Sequence, residues 1–138
     1  LDASRAALRM GEGEPLDLFY LHWPDPATPL EATLQQVQRE FERGRFRRLG
    51  LSNYSVAEVE RISEVMAANG WVQPTVYQGM YNALTRGVEP ELLPLLRSLG
   101  MSFYAFNPLA GGLLTGKHLI GDAAGGGGRF DNNAFYRD

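Results

Sequence analysis

Four short apolar runs begin at a nearly constant interval, and this spacing restricts the fold more than any other feature of the chain. They are Leu18-Phe19-Tyr20-Leu21, Arg48-Leu49-Gly50-Leu51, Thr75-Val76-Tyr77 and Ser102-Phe103-Tyr104-Ala105. Runs this short and this apolar suit strands covered on both faces, as in a parallel sheet. The starts at 18, 48, 75 and 102 lie 30, 27 and 27 residues apart, the interval of successive βα units with right-handed crossovers.

The segments between the runs read as helices with legible ends. Thr28-Pro29-Leu30-Glu31 and Ser55-Val56-Ala57-Glu58 both have the form of a capping box, the first with Pro29 as its opening helical residue. Leu30, Leu34, Val37 and Phe41 form one apolar stripe that stops at Gly44, and Val56, Val59, Ile62 and Met66 form another that stops at Gly70. A third helix is expected over 90–99, with Pro94 in its first turn and Gly100 as its stop; residues 3–10 read as the tail of a further one.

Two architectures accept such a repeat, an open doubly wound sheet and a (β/α)8 barrel. A closed barrel takes roughly 250 residues, and this chain has 138. The chain opens as though within a helix and ends, after Gly125 to Gly128, on Asn133-Ala134-Phe135-Tyr136-Arg137-Asp138 with no closing element. The expectation is therefore an α/β fold, a partial (β/α)8 TIM barrel, with 1–138 as one partial domain truncated at both ends. Its outer strands would have unpaired edges, so marginal stability or self-association is expected of the piece alone.

Composition narrows the chemistry. Hydrophobic residues make up 44% and charged residues 21%, enough apolar content to bury a core. No apolar run approaches the roughly 20 residues of a membrane span, and no basic-then-apolar leader is present, so a cytoplasmic location is expected. The absence of cysteine removes disulfides and thiol nucleophiles. A net charge of −3 argues against nucleic acid as a partner. The only histidines, His22 and His118, are far apart and have no cluster of carboxylates nearby, so no metal site is expected.

In parallel α/β folds chemistry gathers at the strand ends. Those positions hold His22-Trp23, Ser52-Asn53, Gln78 and Phe106-Asn107: every strand ends in a side chain that can hydrogen-bond or stack on a ring. Taken singly, each has a plainer reading. His22 can be satisfied by backbone, Trp23 and Phe106 can be packing, Ser52 and Asn53 can cap the next helix, and Gln78 can serve a loop. The stretch Asn107 to Lys117 is rich in glycine and contains the one lysine of the chain; its amides could surround an anion, or it could be a flexible linker. Gly111 to Lys117 spells G-x-x-x-x-G-K, but His118 stands where a triphosphate-binding loop needs Ser or Thr, which leaves that reading weak.

Four blocks together resemble the aldo-keto reductases. They are Leu18 to Asp25, Gly50 to Tyr54, Val76 to Gln78 and Phe103 to Gly112, in the family's order and separation. Val76 to Thr85 and Asn107 to Lys117 are most similar to the aflatoxin-aldehyde reductase branch. The resemblance implies strands four to seven of a barrel that reduces aldehydes and ketones with NADP(H). It implies that His22 orients the substrate carbonyl and that Trp23 and Tyr136 line the substrate pocket. Ser52, Asn53 and Gln78 would hold the nicotinamide carboxamide, with Phe106 stacked on its ring. Asn107, Leu109, Gly111, Gly112 and Lys117 would follow the pyrophosphate, and Arg129 would reach the adenosine side. The family's aspartate, tyrosine acid and lysine precede the strand bearing His22 and have no match here, so the piece alone is expected to be inactive. A non-catalytic NADP-binding subunit, like the potassium-channel β-subunits of the same family, is the alternative.

Overall fold

The computed structural model describes residues 1–11 and 13–116. Helix α1 (Asp2–Ala7) leads into strand β1 (Leu16–Leu21), followed by α2 (Leu30–Glu42), β2 (Phe46–Ser52), α3 (Val56–Ala68), β3 (Pro74–Met80), α4 (Leu92–Ser98), β4 (Ser102–Phe106) and a 3-10 segment, Ala110–Thr115. All strand pairs are parallel, and their spatial order is the chain order, β1-β2-β3-β4. A doubly wound sheet reverses its order at a switch point. An unreversed order is that of a barrel wall, so this α/β fold is consistent with a partial (β/α)8 barrel.

Strands β1 and β2 begin two residues before the apolar runs that announce them. Asp17 and Arg47 are exposed charged residues at the strand starts, and they break the apolar run without breaking the ladder. The register then fixes two rows of side chains. Leu21, Leu51, Tyr77 and Phe103 stand side by side across the sheet, as do Tyr20, Gly50, Val76 and Ser102. Because side chains alternate between faces, the two rows look in opposite directions. The first row packs into the core with Leu34 and Val37 of α2, Val59, Ile62 and Met66 of α3, and Leu92 and Leu96 of α4. No helix among the described residues is long and apolar enough to cross a membrane.

On the other face, the Tyr20 ring lies over Gly50 so closely that a Cβ there would stand 2.5 Å from it. Val76 is buried but lies outside the main core. Arg48 pairs with Asp17 and reaches the Tyr104 hydroxyl, and these contacts raise its pKa.

The helix stops act as read. Gly44, Gly70 and Gly100 all have positive φ, and each closes its helix with the same pair of bonds, the next residue's amide donating back to Glu40, Met66 or Leu96. Of the two capping boxes, only the second forms: Ser55 Oγ accepts from the Glu58 amide at 3.4 Å, and the Ser55 amide donates to Glu58 Oε2 at 2.7 Å. Thr28 is captured instead by Asp25, to whose Oδ2 its hydroxyl donates at 2.7 Å, and Pro29 becomes an N-cap without a side-chain bond. Helix α4 is shorter than expected because residues 87–91 form turns, with Glu89 held by Tyr81 and Arg86. The joints after α2, α3 and α4 are short, 43–45, 69–73 and 99–101, whereas the joint after α1 spans 8–15 and the strand-to-helix loops vary, 22–29, 53–55 and 81–91.

Candidate active site

Parallel strands deliver all four carboxyl ends to one rim. His22 and Trp23 follow β1, and both are exposed, Trp23 by 70%. Ser52 ends β2 and pairs in register with Gln78, which pairs with Tyr104; Met80 pairs with Phe106 at the end of β4. The structure thus brings His22, Ser52, Asn53, Gln78, Phe106 and Asn107 to neighbouring strand ends. Lys117, Arg129 and Tyr136, together with the glycine run 125–128, lie outside the described residues.

Each adjacent pair of strand ends is tied by at least one side chain that donates to a backbone carbonyl. Asn53, held in the left-handed region at φ 63°, donates from Nδ2 to the His22 carbonyl at 2.8 Å and to Ser52 Oγ at 3.1 Å. The buried Tyr77 hydroxyl donates to the Tyr54 carbonyl at 2.6 Å, and the Tyr54 hydroxyl reaches the Trp23 carbonyl at 3.5 Å. Asn82 Nδ2 donates to the Asn107 carbonyl at 3.1 Å. Burial raises the pKa of both Tyr54 and Tyr77, since a phenolate there would lose its hydration.

These ties decide which polar atoms stay available. Asn53 uses its amide nitrogen on the rim itself, and its Oδ1 and the Gln78 carboxamide take no partner among the described residues. Ser52 is only 1% exposed and sits beneath the Asn53 contact, so a ligand meets Asn53 before it meets Ser52. An acceptor from Asn53 and a donor–acceptor pair from Gln78 match the two ends of a primary amide. Phe106, half-buried, supplies an aromatic ring nearby. The residues present therefore fit a nicotinamide headgroup.

After Phe106 the chain turns sharply. Asn107 and Ala110 hold φ values of 58° and 49°, and Gly111 and Gly112 follow at 69° and 108°. Asn107 Oδ1 accepts from the Gly111 amide at 2.6 Å, and the Gly112 amide donates to the Leu109 carbonyl at 2.9 Å. The glycine amides thus close on their own loop. What they offer a ligand is room: a cleft of about 290 Å³ lined by Asn107, Pro108, Leu109, Gly111 and Gly112, where a Cβ on Gly112 would meet nothing.

Tyr20, Tyr54, Tyr77 and Tyr81 are not poised as acids. Tyr81 donates to Glu89 Oε1 at 2.6 Å, which raises the tyrosine and lowers the glutamate; burial raises Tyr20. Among the described residues no group of three His, Asp or Glu is placed to hold a metal. The sequence reading passed over Tyr54, Tyr77 and Asn82 as rim ties. Asn82 had a visible signal, a turn-forming residue two positions after a strand, with Leu84 and Thr85 at the spacing of a side-chain-to-amide turn.

Consecutive βα units with imidazole, carboxamide and aromatic groups on one rim define a parallel α/β protein, consistent with part of a barrel, whose candidate site lies at the strand ends. The model of the Aldo/keto reductase family matches residues 2–136, and the chain belongs to that family. Human aldo-keto reductase family 7 member A3 is 56% identical over 122 residues, covering 87% of this chain and 37% of that protein. Human aflatoxin B1 aldehyde reductase member 2 is 57% identical over 122 residues, 87% of this chain and 34% of that protein. Oxidoreductase sirO of Leptosphaeria maculans is 40% identical over 133 residues, 96% of this chain and 39% of that protein. The resemblance to the aflatoxin-aldehyde reductase branch read from the sequence therefore stands. The chain spans about a third of the length of the curated relatives it matches.

Proposed function

We propose that this chain is the coenzyme-holding and carbonyl-orienting part of an NADPH-dependent reductase that converts aldehydes and ketones to alcohols. The observation that carries the proposal is the adjacency of His22, Asn53, Gln78 and Phe106 on neighbouring strand ends, with Asn53 Oδ1 and the Gln78 amide available to a ligand. The coenzyme, when bound, supplies the hydride.

The chain's own residues would do the rest. Asn53 and Gln78 hold a carboxamide from both ends, which fixes the face of the ring beside it. Phe106 backs that ring. His22 can donate a hydrogen bond in either protonation state, and an exposed imidazole at the rim suits a carbonyl oxygen that gains negative charge. Trp23 gives the substrate an apolar wall. The cleft between Asn107 and Gly112 admits a pyrophosphate close to the backbone.

The isolated chain is expected to bind and not to turn over. Lys117 is its only lysine, and Tyr54, Tyr77 and Tyr81 are engaged with raised pKa values, which leaves none of the three free to protonate the product. Titration with NADPH, followed by coenzyme fluorescence, should saturate; an aromatic aldehyde added afterwards should not accelerate its loss. Absence of saturable binding would overturn the coenzyme assignment. Turnover in the ordinary range of roughly 1–1000 per second would overturn the incompleteness.

A further inference from the structure

We infer that Asn82 is a positioning residue for the glycine-lined loop, setting the conformation in which that loop receives a pyrophosphate; this rests on the coenzyme reading above. Asn82 lies in the loop between β3 and α4, is 7% exposed, and uses both ends of its carboxamide. Its Oδ1 accepts from the Leu84 and Thr85 amides, both at 2.9 Å, and its backbone amide donates to the Thr85 carbonyl at 3.2 Å. That side is a rigid turn. From the same carboxamide, Nδ2 donates to the Asn107 carbonyl at 3.1 Å.

Asn107 is the residue that needs holding. It is a non-glycine residue in the left-handed region, a conformation kept only where its surroundings enforce it. Its side chain accepts from Gly111, and its carbonyl takes both the Ala110 amide at 3.0 Å and Asn82 Nδ2. Asn82 therefore links the turn after β3 to the first residue of the cleft wall, and through Asn107 to Gly111. None of these hydrogen bonds goes to a residue assigned to the nicotinamide, and Asn82 need not touch a ligand.

Asn82→Asp separates the two roles, because a carboxylate still accepts from Leu84 and Thr85 but cannot donate to Asn107. Amide exchange by NMR on the full chain should leave Leu84 and Thr85 protected while Gly111 exchanges about tenfold faster, and the Kd for NADPH should rise by about the same factor, the size of one lost buried hydrogen bond. Acidification that protonates the introduced carboxylate gives it an O–H donor and should return Gly111 protection, a response that a turn residue alone would not produce. Intact turn protection with unchanged Gly111 exchange and NADPH affinity overturns the assignment, as does equal loss of protection at all three amides. In the unmodified chain the Asn82 carboxamide protons should exchange slowly; rapid exchange there also overturns it, whether or not the variant folds. If the unmodified chain does not bind NADPH, the coenzyme reading falls, while the exchange measurements still decide the link from Asn82 to Gly111.

Discussion

The two faces of the sheet are built on different terms. On the helix side, Leu51 and Tyr77 stand among Ile62, Met66 and Leu96, all of them buried, and the row is closed by the chain itself. On the other side, Tyr20 covers Gly50, Arg48 reaches towards Tyr104, and Tyr104 and Met80 stay 45% and 40% exposed. The difference shows where stability and where chemistry reside. One face holds the strands in register with apolar contacts; the other holds large and polar side chains over a sheet already held.

The contrast can be broken most strongly from the covered side. Leu51→Ala removes a fully buried side chain from the helix-facing row and should lower unfolding stability by about 2–5 kcal/mol in a denaturant titration. Gly50→Ala strikes the opposite face at the same strand. A methyl 2.5 Å from the Tyr20 ring should lower stability by about 1–3 kcal/mol, and Tyr20→Ala in the same chain should recover most of the loss. If the double variant is no better than the single one, the close approach is not the cause.

The sharpest comparison deletes the same atom on each face. Tyr77→Phe leaves the Tyr54 carbonyl buried without its donor and should lower stability by about 1–3 kcal/mol. Tyr104→Phe removes a hydroxyl from an exposed residue beside Arg48 and should change stability by less than about 0.5 kcal/mol. Equal effects from the two would mean that the second face is covered in solution.

The sequence made the repeat legible because each βα unit carries its own punctuation. Gly44, Gly70 and Gly100 could be read as stops since a left-handed residue after a helix is a local requirement. Thr28 misled because its hydroxyl had a rival: whether it bonds Asp25 or the helix start depends on how residues 22–29 fold, which the local pattern does not contain. At the rim, strand ends could be named from periodicity alone. That Ser52 lies beneath Asn53, and that the glycine amides turn inward, depends on bonds between neighbouring strands and within a tight turn. Tyr77 was missed for the same reason, since a side chain spanning two strands leaves no periodic trace, whereas Asn82 left only the local mark of a turn.

The joints that follow α2, α3 and α4 share one hydrogen-bond plan and vary little in length, whereas those that lead from strand to helix range from a few residues to a long excursion. From α2 onwards the variation in length thus falls in the strand-to-helix loops, at the pole that bears the candidate site. A loop transplanted there from another member of the family would meet an unchanged chassis, so the rim could be reshaped at residues 22–29 or 81–91 without rebuilding the wall that carries them.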